Sequence, residues 1–70
     1  MRYVSFHDLP ARAFPFMVEL LDCETREVVW CKTVTGPGAL RIPGRHETNA
    51  GRMVAARLTL ADGTVHEEWP

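Results

Sequence analysis

From Phe14 to Val34, apolar residues fall on both faces of what reads as a β-hairpin. Side chains alternate sides along a strand, so a hairpin over a single core should show one apolar face and one polar face. Seventy residues make one domain at most, and a domain of that size has one core. The second face must therefore meet another layer of the same chain or a different chain. A chain this short buries only about 60% of the surface its unfolded form exposes. Its hydrophobic gain and chain entropy then nearly cancel. A disulfide, a metal or a partner subunit usually supplies the difference.

The rest of the chain gives an all-β reading. Five Pro and five Gly are scattered through it, and no window keeps apolar residues at helical spacing. Val, Thr, Phe and Trp cluster in short runs between turn residues, which predicts strands near residues 2–6, 14–21, 27–35, 39–42, 52–61 and 64–69. One helical turn is expected after Asp8, and the polar stretch from Pro43 to Gly51 reads as an exposed loop. The fold class predicted is a single small β-sandwich, immunoglobulin-like, or a partly open barrel of about six strands, spanning residues 1–70.

Two hairpins set the expected faces. In the first, Asp22 to Glu27 forms the turn, and pairing those two residues places Leu21 against Val28, Glu19 against Trp30 and Met17 against Lys32. One face then holds Phe14, Phe16, Val18, Leu20, Val29, Cys31 and Thr33 and reads as core. The other holds Met17, Glu19, Leu21, Val28, Trp30, Lys32 and Val34, apolar anchors among charges, and its residues Met17, Glu19, Leu21, Val28, Trp30 and Lys32 are the expected protein interface. Arg26 stands where related turns often carry Gly, and a left-handed conformation there would cost on the order of 1 kcal/mol. In the second hairpin, Asp62-Gly63 favours a two-residue type I′ turn, which sets Leu60 opposite Val65 and Arg57 opposite Glu68.

Composition bears on function mainly by exclusion. Eight basic against nine acidic residues give a net charge of −1, which argues against nucleic-acid binding and against a polybasic membrane segment. The first residues lack a signal-peptide apolar region, and no apolar run approaches the roughly 20 residues needed to span a bilayer. Synthesis in the cytoplasm is expected, with a virion as the alternative final location. Cys23 and Cys31 read as reduced thiols. In the expected register they lie on the order of 13 Å apart along the strand, beyond disulfide reach.

No catalytic chemistry stands out. Cys23, Cys31, His7, His46 and His66 form no CxxC or HxxxH pair, so no metal is expected. Cys31 has no orienting third group or oxyanion nest, and Glu67-Glu68 would point to opposite faces of a strand. Gly36-Pro37-Gly38 lacks the Lys and the helix of a phosphate loop. The expectation is a protein that is not an enzyme and carries no cofactor.

Three stretches carry a family likeness: Val18 to Val29, Thr35 to Pro43, and Val54 to Val65. Together they resemble small immunoglobulin-like or transthyretin-like β-sandwich modules. The pattern lacks their inter-sheet cysteine pair and is short for seven strands. Modules similar to these occur in bacterial surface proteins and as accessory or decoration subunits of bacteriophage particles. The resemblance implies a structural or protein-binding subunit of a larger assembly, such as a phage capsid decoration or minor virion protein, or a homo-oligomer. Two alternatives remain open: a small nucleic-acid-binding barrel using Trp30, Lys32, Arg26 and Tyr3, or a small inhibitor that binds a host protein. On the interface reading, Trp30→Ala should weaken assembly and leave the monomer folded. An unfolded variant with intact assembly would mean a register shifted by one.

Overall fold

A computed structural model describes residues 2–70. The protein is all-β, with strands β1 (Arg2–Ser5), β2 (Phe16–Asp22), β3 (Val28–Val34), β4 (Ala39–Ile42), β5 (Val54–Thr59) and β6 (Val65–Glu68). A single turn of 3-10 helix covers Ala11–Ala13, and a four-residue helix α1 covers Arg45–Thr48. Every expected strand is present. The helical turn expected after Asp8 forms three residues later.

The strands make two antiparallel sheets that do not close into a barrel. One holds four strands in the order β3-β2-β5-β6, and the other pairs β1 with β4. The β1–β4 ribbon lies over one face of the four-stranded sheet. Phe16, Val18, Leu20 and Ile42 form the buried centre, with Val4, Phe6, Leu40, Ala56 and Leu58 packed around it. These residues show why the layers meet where they do. Alternate positions of β2, Phe16, Val18 and Leu20, are apolar and face the ribbon, whose own alternate residues Val4, Leu40 and Ile42 face back.

The first hairpin begins in the expected register, with Leu21 opposite Val28, and then departs from it. Leu20 pairs with Trp30, Glu19 with Cys31 and Val18 with Lys32, because the register shifts between Leu20 and Leu21. One extra residue of β3 is accommodated at Val29, a β-bulge, and every residue beyond it turns to the other face. Trp30 and Val34, expected on the outer face, therefore pack against the core, while Cys31 and Thr33, expected in the core, are exposed.

The second hairpin is also displaced by one. The Leu60 N–H donates to the Thr64 carbonyl at 2.9 Å, and the Gly63 N–H donates to the Leu60 carbonyl at 3.0 Å. Ala61, Asp62 and Gly63 thus form a three-residue loop in place of a two-residue type I′ turn. Gly63, at φ 89°, takes the left-handed position that ends such a loop. Asp62 has no positive φ and instead accepts the Thr64 N–H at 2.9 Å. The result pairs Thr59 with Val65, Leu58 with His66, Arg57 with Glu67 and Ala56 with Glu68. Arg57 therefore faces Glu67 rather than Glu68.

The stretch from Pro43 to Gly51 is not a plain exposed loop. It contains α1, and Asn49 at its end is only 4% exposed. Asn49 Nδ2 donates to Asp22 Oδ2 at 2.8 Å, and Arg52 Nε donates to the same oxygen at 3.1 Å. Asp22 Oδ1 meanwhile accepts the backbone N–H groups of Glu24 and Thr25, at 2.8 and 3.0 Å. One carboxylate thus ties the β2–β3 turn to the β4–β5 connection. The turn itself holds Arg26 at φ 64°, a left-handed conformation. Its guanidinium lies 5.1 Å from the centre of the Trp69 ring, a cation–π contact that offsets part of the backbone strain.

Candidate protein-contact surface

The ribbon covers one face of the four-stranded sheet, and no further sheet lies over the other among the described residues. Strand register arranges that outer face in three rows. The first row runs Thr33, Met17, Thr59, Val65. The second runs Cys31, Glu19, Arg57, Glu67. The third is Val28, Leu21, Ala55.

The middle row is an ion-paired belt. Arg57 Nε donates to Glu19 Oε1 at 2.9 Å. The bond to Glu19 holds the Arg57 guanidinium above its ordinary pKa, with Glu67 adding to the attraction. Glu19 is only 8% exposed, and its charge is tolerated there because Arg57 is its direct cross-strand partner. Apolar side chains flank the belt on both sides. Met17 and Val65 are exposed in the first row, and Val28 is exposed in the third. Leu21 and Ala55, in the third row, are almost fully buried.

The expected interface residues divide between two places. Met17, Glu19, Leu21 and Val28 share the outer face, although Glu19 and Leu21 are buried within it. Trp30 and Lys32 stand on the opposite face, across from Leu20 and Val18. The bulge at Val29 is the cause of that split. Sequence reasoning missed Val65, which the three-residue loop turns to the outer face. The available signal was the Ala-Asp-Gly order, with Gly third, which suits a type I turn followed by a left-handed residue.

Other candidate groups do not converge. Tyr3 is 67% exposed on the outside of the ribbon, paired with Arg41, while Trp30 faces the interior. The four aromatic and basic residues considered for nucleic acid thus do not gather on one surface. Cys23 and Cys31 are free thiols. Among the described residues, no three His, Cys, Asp or Glu side chains gather at metal-binding distance. Comparison with known proteins gives no significant match to a family, to a curated protein or to a solved structure, so the reading of this surface rests on its own chemistry.

Proposed function

We propose that the chain is a non-enzymatic subunit that binds another protein within a larger assembly, and that the outer face of its four-stranded sheet makes the contact. An accessory or decoration subunit of a phage particle is the form of assembly that the strand and turn pattern resembles. The observation that carries the reading is the makeup of that face. Met17, Val65 and Val28 stand exposed around the Glu19–Arg57 pair on a face that no second sheet covers among the described residues. Protein interfaces combine apolar anchors with a few oriented polar groups in this way.

The test is capture from native lysate with two baits, the wild-type chain and Val65→Lys. Val65 is about half exposed on β6, so the substitution adds a charge to the face without opening the core. A partner retained by the wild type should be lost from a variant that still folds. Identical capture by both baits would remove the outer face from consideration.

A further inference from the structure

We infer that this chain binds a second copy of itself head to tail, with the β6 edge of one copy paired to the β3 edge of the next. The inference rests on the reading of the chain as an assembly subunit and names one of its partners. Three observations carry it.

The first is that β3 and β6 are the two open edges of one sheet. Joining them continues a single antiparallel sheet from copy to copy. An open edge presents unpaired N–H and C=O groups, and such groups template strand addition.

The second is hydrogen-bond phase. Leu60 and Thr64 are a hydrogen-bonded pair across β5 and β6. Bonded and non-bonded pairs alternate along an antiparallel ladder, so Val65 and Glu67 direct their backbone groups away from β5. On the other side, Asp22 and Glu27 form a bonded pair across β2 and β3. The alternation along β2 then bonds Leu20, Val18 and Phe16 to Trp30, Lys32 and Val34, leaving Cys31 and Thr33 with outward backbone groups. Thr33 and Glu67 also lie on the same face of the sheet. Pairing Thr33 with Glu67 of a second copy therefore satisfies both backbone phase and side-chain facing.

The third is charge and shape. That register sets Lys32 directly opposite Glu68 of the second copy and Val34 opposite its His66. Lys32 and Glu68 are both exposed, and opposite charges facing each other across strands are favourable. Beside β6, between the two sheets, lies an open groove of about 430 Å³. Its walls include Val4, Phe6, Val18, Ile42 and Leu58, with His66 and Glu68 on the rim. Val34 of the incoming strand stands over this groove and covers apolar surface that a lone copy leaves open. Shifting the register by two residues keeps the backbone phase but moves Lys32 off Glu68, so charge selects the register. Because the contact joins unlike edges, it repeats into a ring or a filament.

Light scattering across a wide concentration range tests this with the wild type, Lys32→Glu, Glu68→Lys, the double variant K32E/E68K and an equimolar mixture of the two single variants. The wild type should self-associate, each single reversal should weaken association about tenfold, and both the mixture and the double variant should recover it. Recovery separates a broken contact from a misfolded chain. A wild type that stays monomeric throughout, or a mixture no better than its components, overturns edge pairing. The outer-face reading fails separately, when Val65→Lys captures what the wild type captures.

Discussion

Phe16→Ala should leave no folded protein at room temperature. Phe16 is 2% exposed and is the largest fully buried side chain among the described residues. Its ring meets Phe6 edge-on, with centroids 4.8 Å apart, and Phe14 at 5.2 Å. It also lies on the central strand β2, beneath the ribbon, so its loss loosens both layers. Truncating a buried Phe costs about 3–5 kcal/mol. A core of this size rarely supplies more than about 3–5 kcal/mol of net stability, and the substitution consumes it. Circular dichroism should show an unfolded chain at 25 °C, while Phe16→Leu should keep a cooperative transition. A Phe16→Ala protein that melts within a few degrees of the wild type would place the core elsewhere.

Asp22→Ala should produce the next largest loss, through a different mechanism. Asp22 is 2% exposed, and its carboxylate accepts four hydrogen bonds, from Glu24, Thr25, Asn49 and Arg52. Removing the acceptor leaves Asn49, itself buried, and two turn N–H groups without their partner. A fall in the unfolding midpoint on the order of 10 °C is expected for a domain of this length. Asp22→Asn should fall nearly as far, since its amide sets a second donor against those of Asn49 and Arg52.

The same carboxylate gives a pH signature. Hydrogen bonds from the Thr25 N–H, then from Asn49, Glu24 and Arg52, hold it well below the ordinary carboxylate range. A depressed native pKa means that the stabilisation is complete above the unfolded value of about 3.9 and is lost as pH falls below it toward the native value. The wild-type midpoint should therefore drop through that acidic range, and the Asp22→Asn midpoint should drop less. Parallel curves would show that the carboxylate does not link the two loops.

Much of the fold is legible in the sequence, because strand existence depends on local alternation and turn residues. β2 follows Pro15 and ends at Asp22, and β6 lies between Gly63 and Pro70. Facing is harder, because one residue of slip inverts a whole strand. Val29 is such a residue, and nothing in Val28-Val29-Trp30 distinguishes a bulge from a regular strand. Gly63 is another, since Asp-Gly fits both a two-residue loop and the end of a three-residue loop.

The candidate surface inherits both slips. Met17, Glu19, Leu21 and Val28 share the outer face as alternation predicts, the bulge turns Trp30 and Lys32 away from it, and the three-residue loop brings Val65 to it. Asn49 was illegible for a separate reason. Its burial depends on Asp22, 27 residues away in sequence, and local polarity cannot show such a partner.

We propose that the outer face of the four-stranded sheet binds protein while Trp30 supports the core. Setting Trp30→Ala beside Val65→Lys, with thermal unfolding and partner capture measured on the same preparations, tests it most directly. Trp30 is half-buried against the core, so Trp30→Ala should lower the midpoint and, below that midpoint, retain the partner. Val65→Lys should keep the midpoint close to wild type and lose the partner. A Trp30→Ala protein that is as stable as wild type and captures nothing, beside a Val65→Lys protein that captures normally, would contradict the account and return the interface to Trp30.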